Sequence, residues 1–293
     1  MNLQELLSLP TSEMLHVGKL KCRLYPDVPS MIYSMARDMA DEIQLRNERN
    51  EAVRWILPVG PVAQYRELVT ICNREQISWR NVFTFQMDEF LDWQGRPLPL
   101  DHPFSFEGFM RSQVFGKLAP DLRPLPDHTC FPSPFAPDAI SEKIKEVGGV
   151  DTCFGGIGYH GHVAFNEPPI SRWFRVTLDQ LRNSSTRVVA LGDDSIIAQS
   201  LQCAGGSCAS VPPMAVTLGM SDILSSRRIR LYLAGGERHR TVLRIAMLQD
   251  PTTDYPCTLL QGHPDCILHT DEATARPIRP SLYAAAGEED FPA

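Results

Sequence analysis

A chain of 293 residues that is 43% apolar has material for one large α/β domain or two small ones. A net charge of −7 and a pI near 5.6 run against a nucleic-acid partner, which calls for a basic patch. No stretch reaches the roughly 18 uninterrupted apolar residues of a membrane span, and the N-terminus lacks a basic region followed by an apolar core, so a cytoplasmic protein with no membrane partner is expected.

Residues 1–18 contain LQELLSLP, a short amphipathic piece ended by Pro10, and read as an N-terminal arm. Residues 19–25 read as a strand. From Val28 to Arg46, Met31, Met35, Met39 and Ile43 recur at helical spacing, a stripe that marks a core face. RWILPV, from Arg54 to Val59, is a buried strand that enters Gly60-Pro61, and a helix follows from Ala63 to Asn73. Residues 81–86 read as a third strand ending at MDEF, where Asp88 and Glu89 are a helix cap, a solvated turn or functional carboxylates. Residues 118–138 are proline-rich and irregular, and Ala139 to Val147 reads as a helix.

The stretch from Val150 to Pro168, VDTCFGGIGYHGHVAFNEP, concentrates the chemistry. A short apolar strand runs into Gly155, Gly156 and Gly158, residues that permit sharp turns and close approach to a ligand. Tyr159, His160, His162, Asn166 and Glu167 then crowd together. Ligands of open α/β sheets sit beyond the carboxyl ends of the strands. A tight loop with solvated histidines is the plain alternative. Beyond it, residues 171–187 carry Arg172, Arg175, Arg182 and Arg187, which also suit a solvated basic face. MAVTLGMSDIL reads as a strand and turn, residues 228–234 as a core strand, and residues 241–248 as a helix. Residues 275–293 read as a mobile tail. The eight scattered cysteines read as free thiols, with Cys203 and Cys208 as an alternative disulfide or metal pair. Strands alternating with helices imply a single doubly wound, mostly parallel sheet with helices on both faces, Rossmann-like, over residues 19–274.

GGIGYHGHVAFNEP resembles the GGxGxDGHxAFNEP signature of the glucosamine-6-phosphate deaminase/isomerase family, and more distantly the GxDGH part of the 6-phosphogluconolactonases. MDEF resembles the family's MDEY, HPFSFEGFM its HPxSYxxFM, and HPDCILHTDEAT its final HPxxxxxxDxxA. The resemblance implies conversion of an aminosugar phosphate to a ketose with loss of ammonia, without metal or organic cofactor. It assigns His162 to ring opening, Asp88 to the carbon-bound proton and Glu167 to orienting His162. It assigns substrate binding to Gly60, Gly156 and Gly158, with Arg187 at an anion-binding position and Arg238 or His239 where the family has a phosphate-contacting Lys. Two departures stand out. His160 replaces the family Asp, which removes a negative charge beside His162. The phosphate loop LPTGxTP becomes LPVGPVAQY, which is shorter, lacks the Ser/Thr hydroxyls and has a proline with no N–H. A small-molecule sugar phosphate is the expected partner, and a homo-oligomer is left open. Two other classes fit the residues: a sugar-phosphate-binding protein with little activity, and a lactonase-like or metal-dependent hydrolase using His160-Gly-His162 with Glu167 or Asp88.

Overall fold

The computed structural model of the chain describes residues 2–169, 171 and 173–278. Arg172 and the greater part of the expected tail, residues 279–293, lie outside the described residues. Seven strands form one sheet: β1 (Lys21–Tyr25), β2 (Val53–Leu57), β3 (Val82–Gln86), β5 (Thr129–Cys130), β6 (Thr152–Gly155), β9 (Arg228–Leu233) and β10 (Cys266–Asp271). Their order is β1-β10-β9-β6-β2-β3-β5, and every neighbouring pair is parallel. Successive side chains of a strand point to opposite faces, and the two cores divide accordingly. Trp55, Leu57 and Phe154 pack with helices Val28–Glu48 and Ala63–Glu75, while Ile56, Cys153 and Ile229 pack with Asp138–Glu146 and Arg240–Leu248. The methionine stripe is core as read: Met31, Met35 and Met39 are buried. The doubly wound parallel sheet expected from the sequence is therefore present.

A second, smaller sheet stands beside it, made of β4 (Asp88–Leu91), β7 (Arg187–Ala190) and β8 (Met214–Thr217). It is antiparallel, in the order β4-β8-β7, and Thr217 pairs with Asp88 on one side and Arg187 on the other. MDEF thus belongs to a new strand rather than to the end of β3. Met87 joins the two sheets, donating its N–H to Leu57 O and accepting from Leu218 N, at 2.9 Å each. Arg187, read from sequence as part of a basic loop, is the first residue of β7.

The N-terminal segment forms helices Leu3–Ser8 and Thr11–Val17, and Met14 sits fully buried in the main core. Arg244 fastens this segment: its guanidinium donates to the carbonyls of Leu7, Leu9 and Ala275. All eight cysteines are free, with Cys72, Cys153, Cys257 and Cys266 buried and Cys203 and Cys208 exposed. Among the described residues no helix is long and apolar enough to cross a membrane.

Candidate active site

A cleft of about 530 Å³ opens where the chain leaves the carboxyl ends of β2, β6 and β9. The loop after β2 contributes Gly60, that after β6 contributes Gly156, Gly158 and His162, and that after β9 contributes Gly235, Arg238 and His239. Asp88 enters from the start of β4. Seven of the ten residues singled out in the sequence therefore share one cleft. His160, Glu167 and Arg187 do not line it.

The His162 loop is built by close approach. Gly158 donates its N–H to His162 O and Gly161 donates to Gly158 O, at 2.9 Å each, closing a tight turn. A Cβ on Gly158 would fall 1.9 Å from His162 Nε2, so only glycine lets the imidazole lie where it does. Gly161 has φ +91°, the left-handed region that favours glycine, and Ala164 holds φ +54°, uncommon for a residue with a side chain. Beyond it the chain is clamped. Phe165 N–H donates to Thr217 Oγ1 at 3.0 Å. The fully buried Asn166 donates to Val163 O and Leu218 O and accepts from Arg187 Nη1. Asn166 is thus satisfied on all sides and acts as a brace. So does Arg187, whose Nη1 donates to Asn166 Oδ1 and to Ser185 O. Arg175 and Arg182 are exposed, as a solvated basic face would be.

The two acids of MDEF divide their work. Glu89 accepts from the N–H groups of Phe90, Phe106 and Glu107 at 2.7–2.9 Å. It caps the short helix Phe106–Phe109 that the HPFSFEGFM motif forms, and Phe106 of that helix also lines the cleft. Asp88 meets no hydrogen bond or ion pair from a described side chain. Burial first, and the neighbouring Glu89 second, push its carboxyl up to about 8. His162 moves the other way. Burial, with the rings of His160 and His239 adding to it, pushes the imidazole down to about 3. At neutral pH the cleft accordingly holds a neutral imidazole and a largely protonated carboxyl.

His160 lies beside His162, with ring centroids 5.0 Å apart and planes at 78°. Glu167 was expected to orient His162. Its Oε2 accepts from Gly192 N at 2.6 Å, at the start of helix Asp193–Cys203, and its Oε1, which has no hydrogen-bond partner among the described residues, is left for another group. That helix was missed in the sequence. Ser195, Ala198, Gln199 and Gln202 all line the cleft, and their spacing of three, four and seven is a single helical face. Polar residues at that period were the available signal. Gln64 and Ser195 are buried, and Gln64 Oε1 and Ser195 Oγ have no partner among the described residues.

A glucosamine-6-phosphate deaminase of Porphyromonas gingivalis is 33% identical over 235 residues, 78% of this chain and 81% of that protein. The chain belongs to the glucosamine-6-phosphate deaminase family. Glucosamine-6-phosphate deaminase 2 of Giardia intestinalis is likewise 33% identical, over 74% of this chain and 77% of that one. Among solved structures, a monomeric glucosamine-6-phosphate deaminase superposes with a TM-score of 0.73 at 26% identity, covering 87% of this chain and 99% of its own. A 6-phosphogluconolactonase from Neisseria gonorrhoeae, described as putative, shares the fold at TM-score 0.58 and 19% identity. No protein-family model matches the chain. Within the deaminase family, this member is marked by His160 and by the hydroxyl-free loop after β2.

Proposed function

We propose that the protein converts an aminosugar phosphate to a ketose phosphate, consuming water and releasing ammonia. The observation that carries this reading is that Asp88 and His162 open onto one cleft from separate elements, with their proton affinities driven apart. A neutral imidazole can take a hydroxyl proton and pass it to the ring oxygen, which opens the sugar. The carbon-bound proton then moves from C2 to C1 along one face, the work of a carboxylate. Asp88 must first ionise. The ammonium of an incoming aminosugar does this, because an adjacent positive charge lowers a carboxyl pKa. Arg238 lines the same cleft, and its guanidinium is our candidate to pair with the phosphate. With a soluble sugar phosphate as its partner, the enzyme is assigned to the cytoplasm.

Ammonia and ketose release from a panel of phosphorylated and free aminosugars tests the reading. Stoichiometric ammonia and ketose from a phosphorylated aminosugar, lost in Asp88→Asn, is expected. Absence of ammonia from every aminosugar would refute it. Tight sugar-phosphate binding without turnover would favour the second reading, a binding protein, which the mostly protonated Asp88 and the replacement at His160 support.

A further inference from the structure

Three side chains converge beside the cleft with polar atoms that the described residues leave unsatisfied. His160 and His162 are separated by one residue, and Glu167 follows five residues later. One ligand atom from each lies within 4.8 Å of the others. His160 Nδ1, His162 Nδ1 and Glu167 Oε1 are all buried without a hydrogen-bond partner. A buried polar atom left unpaired costs about 1–3 kcal/mol, and each of these three converging side chains carries one, which a shared partner would satisfy.

The donor set says which partner. Two imidazoles and one carboxylate are the three protein ligands of many zinc sites, with a fourth position left to water or substrate. We propose that His160, His162 and Glu167 bind a divalent transition-metal ion of the zinc class. At metal–ligand distances of about 2.0–2.1 Å, tetrahedral ligand atoms stand about 3.4 Å apart. The side chains must therefore draw in by about an ångström, a rotation within reach of two histidines and a glutamate. The outer shell is already in place, since Glu167 Oε2 accepts from Gly192 N at 2.6 Å, and such contacts orient ligand groups. Gly161, at φ +91°, sets the turn between the two rings, and Tyr255 Cδ1 would lie 2.9 Å from a Cβ there. The replacement at His160 makes the site: the family Asp would leave one imidazole and two carboxylates, a harder set less suited to zinc. Because His162 lines the cleft, a bound ion presents its remaining position to the sugar site. An imidazole on the metal cannot also accept a hydroxyl proton, so the loaded and metal-free forms do different things at this position.

The test is metal binding itself, read independently of turnover. Metal-stripped protein is titrated with zinc by calorimetry and with cobalt(II) by visible absorption. One equivalent per chain is expected, with the band intensity of a four-coordinate cobalt site and the largest paramagnetic shifts on the side-chain protons of His160, His162 and Glu167. His160→Ala and Glu167→Gln, each checked for unaltered far-ultraviolet dichroism, should weaken binding at least about 100-fold. His160→Asp should weaken it about 10-fold or more. The double change Cys203→Ser, Cys208→Ser should leave it intact, which excludes the exposed thiols. Absence of saturable binding, affinity indifferent to His160→Ala, or affinity lost with the cysteines would overturn the proposal, and none of these results bears on ammonia release.

Discussion

Asp88→Asn should abolish turnover and make the protein more stable, and the second effect is the more informative. An aspartate that titrates near 3.8 when unfolded and at about 8 in the cleft opposes folding. Below pH 3.8 both states are protonated and there is no cost. As pH rises, the unfolded chain gives up its proton while the folded one retains it, so stability falls by about 1.4 kcal/mol per pH unit until pH passes about 8. At pH 7 the cost is on the order of 4 kcal/mol, a sizeable part of the 5–15 kcal/mol that holds a typical domain together. Asparagine keeps the shape and never ionises. Urea unfolding of wild type and Asp88→Asn between pH 4 and 9 should show curves that coincide at the acid end, diverge in favour of the variant, and run parallel above about pH 8. The kcat/KM of the wild type should rise over the same upper range as Asp88 ionises, while the variant loses at least about 100-fold in kcat. A stability difference independent of pH, or a variant less stable than wild type, would show that burial does not strain this carboxyl and would remove it as the tuned base.

His160→Asp replaces a ring that lowers the proton affinity of His162 with a carboxylate that raises it. Proton NMR of the His162 ring should show a neutral imidazole from pH 5 to 8 in wild type and a titration moved upward in the variant; identical titrations would make His160 a bystander. Gly158→Ala places a methyl group where His162 Nε2 now lies, so kcat should fall about 100-fold with little change in the unfolding midpoint; near-normal kcat would mean that the ring position is not critical. Arg238→Ala should raise KM for a phosphorylated substrate about 10–100-fold, the loss of one charge-assisted hydrogen bond, and leave KM for an unphosphorylated sugar unchanged. Arg187→Ala should instead cost about 1–3 kcal/mol of stability by stripping Asn166 of its partner; a selective rise in KM for phosphate esters would restore Arg187 to the anion site.

The parallel sheet was legible because it rests on local pattern. Apolar runs of five or six residues between amphipathic helices have few other solutions, and the strands at Val53–Leu57, Val82–Gln86 and Arg228–Leu233 fall within a residue or two of where the pattern put them. The ligand loop was legible for a different reason. Gly158 brings the backbone against the His162 imidazole and Gly161 turns the chain at φ +91°, so the two glycines mark the geometry in the sequence itself. What pattern could not decide was long-range partnership. Asp88 and Glu89 are adjacent acids with the same local signature. Only the pairing of β4 with β8, together with the position of Phe106 and Glu107, sends one carboxylate into the cleft and the other onto backbone N–H groups. Likewise Arg187 donates to Asn166 and Glu167 accepts from Gly192, partners that no local pattern names. Hydrogen bonds and burial depend on which atoms meet in space. The residues able to do the chemistry are therefore written in the sequence, and tertiary structure alone decides which atoms each of them meets.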